Sequence, residues 1–258
     1  IFETDTSDAS YEQYTSAIGP GAITKVAEGA SIPRQSAQEG YTVICANYKY
    51  PVELPVTNEA IDDDQKIKNL LKAWASGLGE SYRNKQEQDH ADVFNYGGFL
   101  AGHATFDNSI PAVITPSYGN FLYDGKPLFA LTGNNHPAKN GATYYNSIAS
   151  LTLSSQNLET ICKLMKVTNA FNEAGMEVQL MPDTLLVQDG SPNFYKAKRI
   201  LESLGDIDSA HAGVTNVWKN SLNLVGWRFL TNADAFFIGK AKSGLKSLAR
   251  MAPKIDYY

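Results

Sequence analysis

The stretch that decides the fold is Ile61-Asp-Asp-Asp-Gln-Lys-Ile-Lys-Asn-Leu70-Leu-Lys-Ala-Trp-Ala-Ser-Gly-Leu-Gly-Glu80-Ser-Tyr-Arg-Asn-Lys-Gln-Glu-Gln-Asp-His90-Ala-Asp-Val-Phe94. Ile67, Leu70, Leu71, Trp74 and Leu78 recur at helical spacing, and Tyr82 extends the stripe. The pattern predicts one long spine helix over about 62–92, with those apolar residues as its core face. Asp62, Asp63 and Asp64 suit the positive end of such a helix, and Arg83/Glu87 and Lys85/Asp89 are favourable four-apart pairs. Gly77 and Gly79 weaken its middle, so two shorter helices are the alternative.

Upstream, Ile23 to Val26 reads as a short strand, Ser31 to Gly40 as a polar tip, and Tyr41 to Val56 as strongly extended. Tyr41, Val43 and Cys45 share one face, while Ile44, Ala46, Tyr48 and Tyr50 share the other. The expectation is a long two-stranded arm. An isolated ribbon is marginal in water, so this arm needs a cover, either its own domain or another copy of the chain. Residues before it, Ile1 to Ser16, are polar, with Tyr11 and Tyr14 as anchors.

Downstream, Asn95 to Gly141 is punctuated by Gly97, Gly98, Gly102, Pro111, Pro116, Asp124-Gly125 and Asn140-Gly141, and it reads as loop-rich. A cleaner α+β unit follows. Ser154 or Ser155 caps a helix with Leu158, Ile161 and Met165 inward, and Met176–Leu180 and Thr184–Gln188 are strand-like. Asp189-Gly190 turns the chain, and Ser191-Pro192 opens a helix carrying Phe194, Ala197, Leu201 and Leu204. Strand segments are expected around Val214–Lys219, Leu222–Val225, Trp227–Leu230 and Ala235–Ile238. In the tail, Lys242 and Lys246 would share a helical face with Leu245 and Leu248 inward, and Lys242, Lys246 and Arg250 form a candidate basic contact.

Composition bounds the function. Across 258 residues there are 22 basic and 27 acidic side chains, a formal charge of −5, which argues against a protein that wraps polyanions. Cys45 and Cys162 are too few for a disulfide scaffold and are expected to be reduced. No apolar run is long enough for a membrane span, and the first residues lack a signal-peptide pattern. A chain starting at Ile1 fits a processed or incompletely observed N-terminus.

The four imidazoles, His90, His103, His136 and His211, form no paired metal spacing, and the glycines complete no phosphate loop. His90 reads as an exposed helix residue and His136 as a loop or interface residue. The Asp62–Asp64 acids fit a helix end better than a metal site. This reading assigns no catalytic residue, no metal and no cofactor.

Several runs stand out together: Ile23-Thr-Lys-Val-Ala-Glu-Gly-Ala-Ser-Ile-Pro33, Tyr50-Pro-Val-Glu-Leu-Pro-Val-Thr57-Asn-Glu-Ala-Ile-Asp-Asp-Asp64 and Asp124-Gly-Lys-Pro-Leu-Phe129 with His136-Pro137. Met181-Pro182 before Leu185-Leu-Val187, and Asn232 to Phe237 before Gly244-Leu-Lys-Ser-Leu-Ala-Arg250, complete the set. In order and spacing these runs resemble the Mu-like major head subunits of tailed bacteriophages.

The resemblance implies an α+β, HK97-like major capsid protein fold with an extended loop, a spine helix, and peripheral and axial domains. It divides the chain into an arm remnant (1–18), extended loop (19–57), peripheral domain (58–153), axial domain (154–228) and a return to the peripheral domain (229–258). It implies no enzyme activity and a shell, icosahedral or prolate, around double-stranded DNA. Partners would be many copies in hexamers and pentamers and a portal protein. A scaffold, a maturation protease and a decoration protein are further candidates. The setting would be the virion capsid, assembled in the host bacterial cytoplasm, with no membrane.

Ile32, Arg34, Glu39, Tyr41, Tyr48 and Tyr50 become candidate inter-subunit contacts. A terminal strand is also implied, which the sequence up to Tyr258 does not visibly offer. An encapsulin-like protein compartment and, further off, a soluble hydrolase are the alternatives.

Overall fold

The computed structural model describes residues 1–18, 23–34, 38–47, 49–53, 55–57, 67–97, 128–133, 135–172, 175–205 and 213–254. Tyr48, Asp62–Asp64, His103 and His211 lie outside them, as do the side chains of Ile67, Leu70 and Leu71.

The run Thr-Leu-Leu-Val-Gln, apolar at its centre, forms β6 (Thr184–Gln188; β1–β5 are given below), whose first four residues are buried. It is the middle strand of a three-stranded sheet, parallel to β7 (Asn223–Trp227) and antiparallel to β8 (Phe236–Gly239). Because strand side chains alternate, each face of this sheet carries its own core. Leu185 and Val187, with Leu224, Phe236 and Ile238, face a cluster containing Leu153, Leu158, Ala197, Ile200, Leu201 and Leu222. Leu186, Val225, Trp227 and Phe237 face the opposite one, with Val93, Phe94, Phe129 and Leu230.

Two helices supply the first cluster. In the second of them, α3 (Pro192–Glu202), Ser191 accepts from the Phe194 N–H and proline occupies the first turn, as the sequence predicts. Leu204, expected on its apolar face, is 75% exposed; Ile200 is buried instead. Helix α2 (Ser155–Lys163) is capped by Ser154 and continues as a π-helical turn, Leu164–Thr168. Leu158 and Cys162 are its buried residues, whereas Ile161 is only half-buried. Gly226 marks the closest packing: a Cβ there would lie 2.8 Å from the Phe194 ring and 3.0 Å from Asp189 Oδ1.

The spine exists as one element. Helix α1 runs from Ile67 to Asn95, 29 residues, about 44 Å at the usual rise. Gly77 and Gly79 do not break it. Among the residues whose side chains are described, its core contribution comes from the far end, where Ala91, Val93 and Phe94 are buried, and not from Trp74, Leu78 or Tyr82. Asn95 ties that end to the strand β7–β8 connection, donating to Phe229 O at 3.0 Å and accepting from Thr231 N at 3.0 Å.

Several strands were not visible in the sequence. Strand β1 (Glu3–Thr6) lies parallel to β9 (Lys246–Ala249), which corrects the helical reading of the tail; Leu245 does face inward, into the second cluster. Lys242 sits at a left-handed turn (φ 54°) and donates its N–H to Ile1 O at 2.8 Å. The arm is corrected too. Residues 23–26 form no strand; Tyr11–Ile18 (β2) pairs antiparallel with Gln38–Ala46 (β3). Neither Met176–Leu180 nor Val214–Lys219 forms a strand; each contributes one isolated bridge, Phe171 to Glu177 and Gly205 to Thr215. A short hairpin, β4 (His136–Pro137) and β5 (Thr143–Tyr144), completes the set. Since β8 is paired with β6, the division expected at 228/229 runs through one sheet.

Leu185→Ala should cost about 2–5 kcal/mol, because the residue is fully buried and its neighbours are fixed on all sides. Gly226→Ala should cost about 1–3 kcal/mol through overpacking against Phe194. Urea unfolding followed by tryptophan fluorescence measures both.

Candidate assembly interface

The β2–β3 ribbon has two unlike faces. Pairing Tyr14 with Val43 and Glu12 with Cys45 puts Glu12, Tyr14, Ser16, Tyr41, Val43 and Cys45 on a half-buried face turned towards the chain's own body. Pairing Gln13 with Ile44 and Thr15 with Thr42 builds the other face. There Tyr11 is 55% exposed and Ile44 37%, and Thr15 and Thr42 join hydroxyls at 3.0 Å. The ribbon's base is pinned at Ser7, which is buried, donates to Glu12 Oε1 at 2.8 Å and accepts from Asn47 Nδ2 at 2.9 Å.

None of the described ribbon residues belongs to either core cluster. Three lysines from the body lie over tyrosine rings instead: Lys246 over Tyr14 at 5.0 Å, Lys139 over Tyr41 at 4.6 Å and Lys85 over Tyr50 at 5.6 Å. Lys85 also pairs with Asp89 at 2.7 Å, as expected. Glu87, expected to pair with Arg83, accepts instead from the Trp227 indole at 2.9 Å.

The sequence-predicted contact residues divide accordingly. Ile32 (82% exposed), Arg34, Glu39 and Tyr50 are exposed. Tyr41 is not on the outward face; it lies under Lys139. On α1, Trp74 is 41% exposed, Tyr82 is exposed and Leu78 is half-buried, so this part of the stripe is not subunit core. Of the basic tail, Lys246 meets Tyr14, Arg250 is exposed, and Lys242 makes the turn described above. Tyr11 and Lys139 were missed as site residues. The alternation in Tyr-Glu-Gln-Tyr-Thr-Ser-Ala-Ile was the available signal for Tyr11; a lone lysine in a turn gives none.

His90 is not an exposed helix residue. Its ring stacks on Phe2 with centroids 4.5 Å apart, and Nε2 lies 2.7 Å from Ser247 Oγ. Burial pushes its pKa down, opposed by Glu87 and Asp89. His136 Nε2 lies 3.4 Å from Leu128 O. Both cysteines are free, and burial pushes both thiol pKa values up. Among the described residues no acidic, histidine or cysteine group could hold a metal, and no helix is long and apolar enough to cross a membrane. Compared with protein-family models, curated proteins and solved structures, the chain matches none.

Asp92, 9% exposed, has its carboxyl pKa raised, chiefly by burial; Asn95 opposes this by donating at 3.5 Å. The folded pKa lies above the unfolded one, so the stabilising contribution is present below the unfolded value, 3.8, and is lost as pH rises through the folded value. Asp92→Asn should therefore unfold at higher urea than the parent at neutral pH, with the difference vanishing below about pH 4. Urea midpoints across a pH series check this.

Proposed function

We propose that this chain is the repeating subunit of a closed shell enclosing double-stranded DNA, with the HK97-like capsid architecture that its sequence resembles. The observation that carries the reading is the pair of long elements left half-covered by the subunit itself. One is the outward face of the β2–β3 ribbon, with Tyr11 and Ile44; the other is the part of α1 bearing Trp74 and Tyr82. Exposed aromatic residues on long regular elements gain most when another surface excludes water from them. Repetition of one such contact, heterologous and closed by symmetry, makes a shell. The extended residues 49–53, including Tyr50 (53% exposed) and Val52 (71%), and the chain around Ile32 are exposed as well.

The acidic balance of the chain suits a container for a polyanion that must be filled and emptied. In this reading the chain performs no chemistry; its work is association.

Imaging of purified material tests the proposal. Uniform closed particles with nuclease-protected DNA support it, particles filled with protein favour an encapsulin-like compartment, and a folded monomer that never associates at high concentration overturns both. Trp74→Ala and Ile44→Glu should each raise the concentration needed for assembly by roughly tenfold or more, since a buried interface anchor is worth about 2 kcal/mol. Light scattering reads the threshold, and far-UV circular dichroism should stay unchanged because neither side chain belongs to a core cluster.

A further inference from the structure

We propose that the tyrosine–lysine contacts form a latch holding the ribbon against its own subunit, and that neutralising the lysines lets the ribbon swing away. The three lysines come from three different elements: Lys85 from α1, Lys139 from the turn between β4 and β5, and Lys246 from β9. All three cover rings on the ribbon or on the extended chain leaving it. The ribbon's inward face is only half-buried, and its described residues add nothing to either core. Its pose therefore does not come from hydrophobic packing of the usual depth.

A cation over an aromatic ring suits a holding contact. At a partly exposed site each changes an equilibrium by a factor of about 2 to 5, enough to bias a pose and too little to fix it. Lys139 and Lys246 are exposed residues, so water competes for each ammonium and the contact stays reversible. The latch stands on this subunit alone; transfer of a released ribbon to a neighbouring copy rests on the shell reading.

The chain carries its own reporter. Cys45 lies on the inward face, half-buried, whereas Cys162 is a buried residue of α2, in a different element. Reaction with a disulfide reagent such as DTNB, at protein concentrations too low for assembly, measures how often each thiol is uncovered. In Lys139→Gln/Lys246→Gln, Cys45 should react about 4- to 25-fold faster, from two contacts of the size above, with Cys162 unchanged. Lys139→Arg/Lys246→Arg should restore the parental rate, because guanidinium keeps the cation over the ring. Lys85 is left in place because it also holds Asp89.

The latch is overturned if the glutamine variant leaves the Cys45 rate unchanged, if the arginine variant reacts as fast as the glutamine one, or if both thiols accelerate together. Assembly, read separately by scattering, can fail without touching any of these outcomes.

Discussion

Strand β6 has no polar face in its first four residues, and most of the architecture follows from having to cover both of its sides. Leu185 and Val187 need one cover and Leu186 needs another, so the strand sits between two cores and cannot be an edge. The crossover through α3 to the parallel strand β7 provides the first cover. The second is assembled from distant pieces of chain: the end of α1, the segment at Leu128 and Phe129, and residues at Ile1, Phe2 and Leu245. Phe94 shows how closely these are joined, its ring lying 5.1 Å from Phe237, 5.8 Å from Trp227 and 6.1 Å from Phe2. The spine helix is therefore held at one end by an aromatic cluster, and its Trp74 region projects from that anchorage. The parallel pair β1–β9 belongs to the same arrangement, since His90 on α1 touches Phe2 before β1 and Ser247 within β9.

Caps and turns were the most legible parts of the sequence, because they depend on a few adjacent residues. The cap at Ser154 or Ser155, which proves to be Ser154, Ser191-Pro192 and the strand Thr184–Gln188 were placed correctly, and so was the continuous α1 despite its two glycines. What failed depended on partners far away in the chain. Strand β1 is a polar Glu-Thr-Asp-Thr run whose backbone is extended only because β9 accepts it, and β9 itself has a lysine and a serine in a stretch that also suits a helix. Local propensity is weak against such pairing.

The π-helical turn after Lys163 ends the regular helical spacing, and Cys162, not Ile161, is the residue buried just before it. For the candidate interface, alternation in Tyr41–Cys45 separated two faces correctly, but periodicity carries no information about which face meets the body. Tyr41 accordingly lies under Lys139 on the half-buried face, and Trp74, whose helical spacing was read as burial within one subunit, is 41% exposed.

The contrast between the two halves of the molecule bears on the proposed shell. Around β6, side chains are fully enclosed and each truncation leaves a void, so that region has one arrangement. Among the described contacts, the ribbon is held by a pinned base at Ser7 and by cations resting on rings, and cation–ring contacts tolerate sliding and rotation at modest cost. A subunit that must occupy several slightly different positions in a curved lattice needs this division: a rigid body to define the repeat and an arm whose angle can change. If the arm were held by a core of its own, every change of angle would open a cavity, and the lattice would be limited to one local curvature. Lysine over tyrosine avoids that constraint, because Lys139 and Lys246 are exposed and a cation can leave a ring face for water without opening a cavity.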